Sequence, residues 1–85
     1  SMARETKYIQ LNSGKSTLSL EPSYWHQIEY LAEKDGYGNW RDFFYAYILD
    51  DKPDDIPLAS HVRKFITSEL FIEYAKGKGK DKSWN

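Results

Sequence analysis

The chain of 85 residues contains no cysteine. This absence excludes disulfide bonds and zinc sites built on thiolates, and it is consistent with a cytoplasmic protein. No apolar run approaches the roughly 20 residues that a membrane-spanning helix needs. The sequence therefore predicts a soluble, cytoplasmic protein that makes no contact with a membrane.

Hydrophobic residues are also modest in number, at 40% of the sequence with 16% aromatic residues, which suffices for one domain with a thin core. A chain of this size buries a small fraction of its surface. Without disulfides or a metal, such chains commonly gain stability by forming oligomers. The composition therefore favours a homodimer.

Charge is nearly balanced overall but is separated along the chain. Residues 1–16 carry three basic residues against one acidic residue, residues 17–75 carry five against eleven, and residues 76–85 carry four lysines against one aspartate. A polyanion would therefore contact the basic ends rather than the acidic body. We predict that residues 76–85 form a disordered basic tail, either a solvated extension or a binding segment.

In the stretch from Lys15 to Leu20, polar and apolar residues alternate from Thr17 onward, which predicts a short β-strand. Successive side chains of a strand point to opposite faces. The polar face is Lys15, Thr17 and Ser19, and the other face is Ser16, Leu18 and Leu20. Because a lone strand leaves its backbone groups unpaired, it either folds back on residues 7–11 as a hairpin or pairs with a copy of itself.

Three helices are predicted after the strand. The first begins with Pro22 at its first position and stops at Gly36, the second is capped by Asn39, and the third runs from Leu58 to about Ala75. The second carries Trp40, Phe43, Phe44, Tyr47 and Ile48 at helical spacing. Its further apolar residues make the helix hydrophobic on more than one face, which predicts that two other elements pack against it. A monomer of this size can scarcely supply both, so a partner chain is expected.

Motifs that would indicate catalysis are incomplete. The run Gly14–Thr17 resembles the end of a phosphate-binding loop but lacks its first glycine, and the aspartates in residues 50–55 lack the spacing of a calcium loop. His26 and His61 have no neighbouring ligand in sequence, so we interpret them as surface or packing residues. We expect no enzymatic activity, no cofactor and no metal.

The order of strand, helix and helix resembles the ribbon-helix-helix family of bacterial and phage DNA-binding proteins. The closest likeness lies in Thr17–Trp25, at the start of the first helix, and in Leu58–Arg63, at the start of the third. The resemblance extends over about residues 7–72. It implies a mainly α dimer in which two copies of the strand pair antiparallel and enter the major groove of DNA.

Carried over to this chain, the resemblance implies a role for several groups of residues. The ribbon face that contacts DNA would be Lys15, Thr17 and Ser19. Phosphate contacts would come from Asn39, Trp40 and Arg41 at the start of the second helix, with Arg4 and Lys7 adding charge nearby. The dimer core would be Leu18, Leu20, Trp25, Phe43, Phe44 and Tyr47.

The sequence thus predicts three regions: an N-terminal arm with an optional extra strand (1–14), a ribbon-helix-helix domain with a third helix (15–75), and the basic tail (76–85). The first hypothesis for function is a dimeric repressor that binds double-stranded DNA at the nucleoid. The alternative is a protein-interaction module on the same dimeric fold, like an antitoxin or a phage regulator. Its partner protein would bind the acidic body or the third helix.

Overall fold

A β-hairpin followed by helices makes up residues 3–80, the part of the chain that the computed structural model describes. The elements are β1 (Glu5–Leu11), β2 (Gly14–Leu20), α1 (Pro22–Lys34), α2 (Trp40–Phe43) with a π-helix (Phe44–Leu49) directly after it, and α3 (Leu58–Lys80). This order agrees with the sequence prediction of strands followed by three helical stretches. No helix in residues 3–80 is long and apolar enough to cross a membrane.

The predicted strand folds back on residues 7–11 of the same chain and forms a hairpin with them. β2 pairs antiparallel with β1 of the same chain, and Tyr8 lies opposite Thr17 in the register. Gly14 has a φ of 130°, a conformation that only glycine adopts readily, and this lets the chain reverse within a short turn. Residues 7–11 therefore form a second strand, which begins two residues earlier than predicted.

The two faces of the sheet follow the predicted alternation. On the inner face, Ile9, Leu18 and Leu20 are buried against the helices. On the outer face, Lys15 and Thr17 are exposed. The prediction that Lys15, Thr17 and Ser19 point away from the core is confirmed by this arrangement, although Ser19 is half-buried.

Helix α1 has the predicted ends. Pro22 occupies its first turn, where the missing N–H costs nothing. At the other end, Gly36 has a φ of 83°, its N–H donates to the Glu33 carbonyl at 3.0 Å, and the Tyr37 N–H donates to the Ala32 carbonyl at 2.9 Å. These two bonds form a Schellman motif, which ends the helix and turns the chain towards α2.

The second helical stretch begins as predicted and then departs from the α-helical pattern. The Asp42 N–H donates to Asn39 Oδ1 at 3.0 Å, which confirms the N-cap. From Phe44 the segment is π-helical, and its i→i+5 bonding changes which residues share a face. Tyr47 is consequently 46% exposed in one protomer, so it lies outside the core of a single chain, and its place in a dimer core stays a prediction.

The remaining predicted core residues are buried within one protomer. Leu18, Leu20, Trp25, Phe43 and Phe44 all belong to a single cluster that also contains Ile48, Val62 and Ile66. The same protomer supplies neighbours for the second helical stretch, and the expected contact with a partner chain stays a prediction. Phe44 and Ile48 are fully buried without a second chain.

Helix α3 is longer than predicted. It continues to Lys80, so residues 76–80 are helical where a disordered tail was expected, whereas 81–85 lie outside the described residues. Each helical glycine costs only about 1 kcal/mol relative to alanine, and lysines near a helix C-terminus interact favourably with its dipole. Val62 and Ile66 are buried, whereas Tyr74, two turns further along the helix, is 60% exposed.

Candidate functional site

The outer face of the hairpin is the surface on which the predicted contact residues meet. Three cross-strand pairs form this face: Thr6 with Ser19, Tyr8 with Thr17, and Gln10 with Lys15. The Thr6 hydroxyl donates to the Ser19 hydroxyl at 3.2 Å. The face therefore presents hydroxyl, amide, ammonium and phenol groups, which can donate to and accept from a polar ligand.

Tyr8 lies at the centre of the positive charge on this face. Its ring is 47% exposed, and the Lys15 ammonium lies 4.3 Å from the ring centroid. The Arg41 guanidinium lies 3.9 Å from the same centroid. Two cations from different elements are therefore held on one aromatic ring by cation–π attraction.

Arg41 is held by further contacts besides the Tyr8 ring. Its Nη1 donates to the Tyr8 carbonyl oxygen at 2.5 Å, and its guanidinium lies 4.5 Å from the Trp40 ring centroid. Within residues 3–80, neither Arg41 nor Lys15 forms an ion pair with a carboxylate. The cluster of Tyr8, Lys15 and Arg41, here called the Tyr8 cluster, thus carries two positive charges without a carboxylate partner.

The outer edge of β1 is covered by the second helical stretch. Arg41 donates to the Tyr8 carbonyl, and the Gln10 N–H donates to the Tyr45 hydroxyl at 3.0 Å. Backbone groups at Tyr8 and Gln10 therefore point away from β2. Tyr8 lies opposite Thr17, and Gln10 lies opposite Lys15. In an antiparallel ladder, when one residue of an opposed pair directs its backbone groups away from the partner strand, the other does the same. The backbone groups of Thr17 and Lys15 therefore point away from β1, to the outer edge of β2.

The outer edge of β2 differs from that of β1. Every second residue of β2 directs its backbone N–H and C=O groups to this edge, namely Lys15, Thr17 and Ser19. In the described part of the chain, these groups bond to no helix or loop. An uncovered strand edge is a template for another strand. The hairpin therefore has one covered edge and one edge available for pairing.

Arg4 and Lys7 are placed differently from the other predicted phosphate contacts. Arg4 Nε lies 3.7 Å from Glu21, and Lys7 Nζ lies 3.0 Å from Glu5. Lys7 shares the inner face of β1 with Ile9 and is half-buried. Both cations already have a carboxylate partner, so their charge is largely balanced locally.

Glu21 is the acidic centre at the junction of β2 and α1. Arg63 Nη2 from α3 lies 3.0 Å from Glu21 Oε1, and Arg4 approaches the other oxygen. A hydrogen bond from its own backbone N–H, together with Arg63, lowers the pKa of the Glu21 carboxyl below its usual 4.5. This network ties the hairpin to α3.

Asn39 and Trp40 have structural contacts at the start of α2. The Asn39 amide donates to Asp42 Oδ2 at 3.0 Å and its oxygen caps the helix, so both ends of the side chain are engaged. The Trp40 ring packs edge-on against Trp25 at 5.2 Å. Of the three residues predicted at this helix start, Arg41 is the one that reaches the hairpin.

The sequence reasoning missed Tyr8, Gln10 and Tyr45 as parts of this site. The alternation of residues 7–11 contained a signal for the first two, because it puts Tyr8 and Gln10 on the face opposite Ile9. No sequence signal linked Tyr45 to a strand edge. Its aromatic ring fits the apolar pattern of the helix, whereas its hydroxyl accepts a hydrogen bond from the Gln10 N–H at the outer edge of β1.

Residues 3–80 contain no group of three histidine, aspartate or glutamate side chains arranged to hold a metal ion. The hairpin face itself offers charge, hydrogen bonds and aromatic contact for the recognition of a ligand. Scans against protein-family models, curated proteins and solved structures found no match to this chain.

Proposed function

We propose that the protein is a dimeric DNA-binding repressor of the ribbon-helix-helix type, acting in the cytoplasm at the nucleoid. Two copies pair through the outer edges of β2, and the outer face of the combined sheet contacts the major groove of double-stranded DNA. The observation that carries this proposal is the difference between the two edges of the hairpin: Arg41 and Tyr45 cover β1, and β2 is open.

The open edge dictates how the two copies pair. An antiparallel two-fold pairing that uses the edge groups of Lys15, Thr17 and Ser19 puts Thr17 opposite Thr17 of the second copy and Lys15 opposite its Ser19. The result is a four-stranded sheet with the two β2 strands at its centre. Side chains of these three residues then form a continuous central strip on the outer face.

This central strip suits the major groove. The groove is about 12 Å wide and admits a two-stranded ribbon, and side chains such as lysine, threonine and serine bond to base edges there. Lys15 supplies positive charge, and the acidic carboxylates of the body lie mainly on the helices and the loop after the π-helix. The charge distribution therefore favours approach to a polyanion with the hairpin face first.

Pairing of the β2 edges is tested by sedimentation of the wild type and of Thr17→Pro. Proline removes an edge N–H and blocks a neighbouring strand, but it spares the groups that bond to β1. We expect a dimer for the wild type and a monomer for the variant, with the helical circular dichroism retained. A wild-type chain that sediments as a monomer would contradict the pairing.

DNA binding is tested by gel shift of the wild type on random and genomic duplexes at low salt. Lys15→Glu combined with Thr17→Ala changes two outward side chains and leaves the buried face intact. Each contact to a base edge contributes about 1–3 kcal/mol, so the double variant should bind at least tenfold more weakly. Retained binding by this variant would show that the assigned surface is wrong.

A second candidate function is favoured by the exposed apolar residues on α3. Phe71, Ile72 and Tyr74 are each 45% exposed or more. Of these, Ile72 also lines a crevice of about 310 Å³, together with Leu31, Phe43 and Phe65 and a rim of acidic and basic side chains. Such a surface fits a partner protein, as in an antitoxin. Recovery of one stoichiometric protein in a pull-down, with no duplex bound near physiological salt, would favour this function.

A further inference from the structure

A crevice of about 310 Å³ opens where the C-terminal end of α1 meets the second helical stretch and the middle of α3. Its apolar lining comes from all three elements: Leu31 on α1, Phe43 on α2, and Phe65 and Ile72 on α3. Leu31 and Phe43 are buried, so they form its floor. Ligand pockets measure about 300–1,000 Å³, and a crevice at the lower end of that range suits a small molecule.

Aromatic rings form one wall of this crevice. The Phe43 ring centroid lies 5.4 Å from that of Tyr47 and 6.3 Å from that of Phe65. Tyr37, which does not line the crevice, packs edge-on against Phe43 at 5.7 Å and against Tyr47 at 5.8 Å. The wall is therefore already packed in place. Because aromatic rings attract cations through their faces, this wall favours a positively charged ligand over an anion.

Carboxylates outnumber ammonium groups at the rim, which is lined by Asp35, Glu69 and Glu73 against Lys34 and Lys76. Lys34 Nζ lies 3.5 Å from Glu73 Oε2, so these two charges offset each other. Among residues 3–80, Asp35, Glu69 and Lys76 form no ion pair. Two unpaired carboxylates against one unpaired ammonium leave the crevice negative, which suits a ligand with a single positive charge.

Two of these carboxylates lie where the fold alone does not favour them. Asp35 is the C-cap of α1, and the negative end of a helix dipole repels a carboxylate. Glu73 Oε2 is closed off from solvent and accepts no hydrogen bond within the part of the chain that the structure describes. A positive group held in the crevice would stabilise both carboxylates, since it supplies charge to the first and lies close to the second.

We propose that this crevice binds a small organic cation, namely a primary ammonium group on an apolar or aromatic body. The ammonium contacts Asp35 and Glu69, and its three N–H donors match the acceptors of two carboxylates. The apolar body lies on the floor, against Leu31, Phe43 and the rim residue Ile72. This inference goes beyond the proposed function, because the crevice lies away from the hairpin face and its ligand does not depend on DNA.

Isothermal titration calorimetry of the full chain with 2-phenylethylammonium tests the proposal. We expect a Kd on the order of 1 mM or tighter for a ligand of this size. The melting temperature should rise with ligand concentration, because the ligand binds the folded state. 2-Phenylethanol has the same ring without the charge, and phenylacetate has a negative charge instead. Both should bind on the order of tenfold more weakly than the amine.

L-Phenylalanine shows whether the ligand is an amine or an amino acid. It carries the same ammonium and ring, but Asp35 and Glu69 repel its carboxylate, so it should bind more weakly than 2-phenylethylammonium. Tighter binding of the amino acid would contradict a site for a simple cation. Absence of both heat and thermal stabilisation with the amine at about 10 mM would overturn the site altogether.

Variants at the rim locate the bound amine through charge. Asp35→Asn combined with Glu69→Gln removes both unpaired carboxylates and should weaken binding roughly tenfold. Asp35→Asn also relieves an unfavourable charge at the end of α1, so the variant should remain folded. Glu33→Gln is the matched control: it removes an exposed carboxylate on α1 that does not line the crevice, and affinity should stay close to that of the wild type.

A second pair of variants tests the cavity itself. Ile72→Trp adds bulk at the rim and should weaken binding on the order of tenfold or more by filling the space. Phe71→Trp changes the neighbouring residue, which is exposed and does not line the crevice, so it should bind the amine like the wild type. Circular dichroism shows that each variant is folded. Wild-type affinity in both Ile72→Trp and the double carboxylate variant would mean that the amine binds elsewhere, and would overturn the proposal.

Discussion

Glu21 is the residue through which pH should act on the stability of the fold. Its pKa is lowered by its backbone N–H, by Arg63 and by Arg4, so the folded state binds its proton less tightly than the unfolded state does. A lowered pKa contributes stability above the unfolded pKa, near 4.5, and this contribution is lost as the pH falls through the folded pKa.

We therefore predict that Glu21→Gln flattens the acid dependence of stability. The free energy of unfolding, measured by urea titration at pH 6 and at pH 3.5, should fall less between the two values in the variant than in the wild type. Glu29→Gln alters an exposed glutamate on α1 and serves as the control. Equal acid sensitivity in the wild type and Glu21→Gln would contradict the role of this network.

His61 is a buried packing residue, as interpreted from the sequence. It is 8% exposed, and its Nε2 donates to the Ile48 carbonyl at 2.8 Å, near the end of the π-helix. Replacement by alanine leaves that carbonyl without its partner, which costs about 1–3 kcal/mol of unfolding free energy. The exposed His26→Ala should change stability by less than about 0.5 kcal/mol in the same thermal or urea melt.

At the scale of elements, we predict that the two glycines in the turn between α1 and α2 differ in their importance for stability. Gly36 needs a positive φ to form the Schellman motif, and an alanine there costs about 1–2 kcal/mol. Gly38, two residues later, has no positive φ and open space around it. Gly36→Ala should lower the urea midpoint and Gly38→Ala should leave it nearly unchanged; equal effects would contradict the motif.

The ends and faces of most elements were predictable because they depend on local chemistry. Pro22, Gly36 and Asn39 mark boundaries through φ preference and capping, and alternation alone separates Leu18 from Lys15. The π-helix was not predictable in this way. Its wider turns depend on how Phe44 and Ile48 pack against other elements, and the sequence spacing fits an ordinary α-helix equally well.

The end of α3 shows a second limit of local reasoning. The glycines and lysines of residues 76–80 are typical of a disordered segment, yet they continue a helix that is already nucleated by buried residues such as Val62 and Ile66. Adding residues to an existing helix is far easier than starting one. A prediction from composition therefore ended the third helix too early.

At the scale of the whole molecule, the candidate site combines residues that are far apart in sequence. Tyr8, Lys15 and Arg41 come from β1, β2 and α2, and no spacing rule links them. Sequence analysis could assign Lys15 and Arg41 separately, the first from alternation and the second from the family resemblance. It could not place both on Tyr8, because that contact depends on how the second helical stretch docks on the hairpin.

The covered edge of β1 also bears on how large an assembly this protein can build. A hairpin with two open edges can add copies without limit and grow into fibrils, whereas one open edge allows a closed pair and nothing longer. Arg41→Ala combined with Tyr45→Phe removes both side-chain groups that bond to this edge. The double variant should form aggregates that scatter light and bind thioflavin as its concentration rises. Tyr30→Phe, which removes a hydroxyl bonded to Glu73 instead, should stay at the wild-type mass. Arg41 and Tyr45 would thus protect the protein against polymerisation.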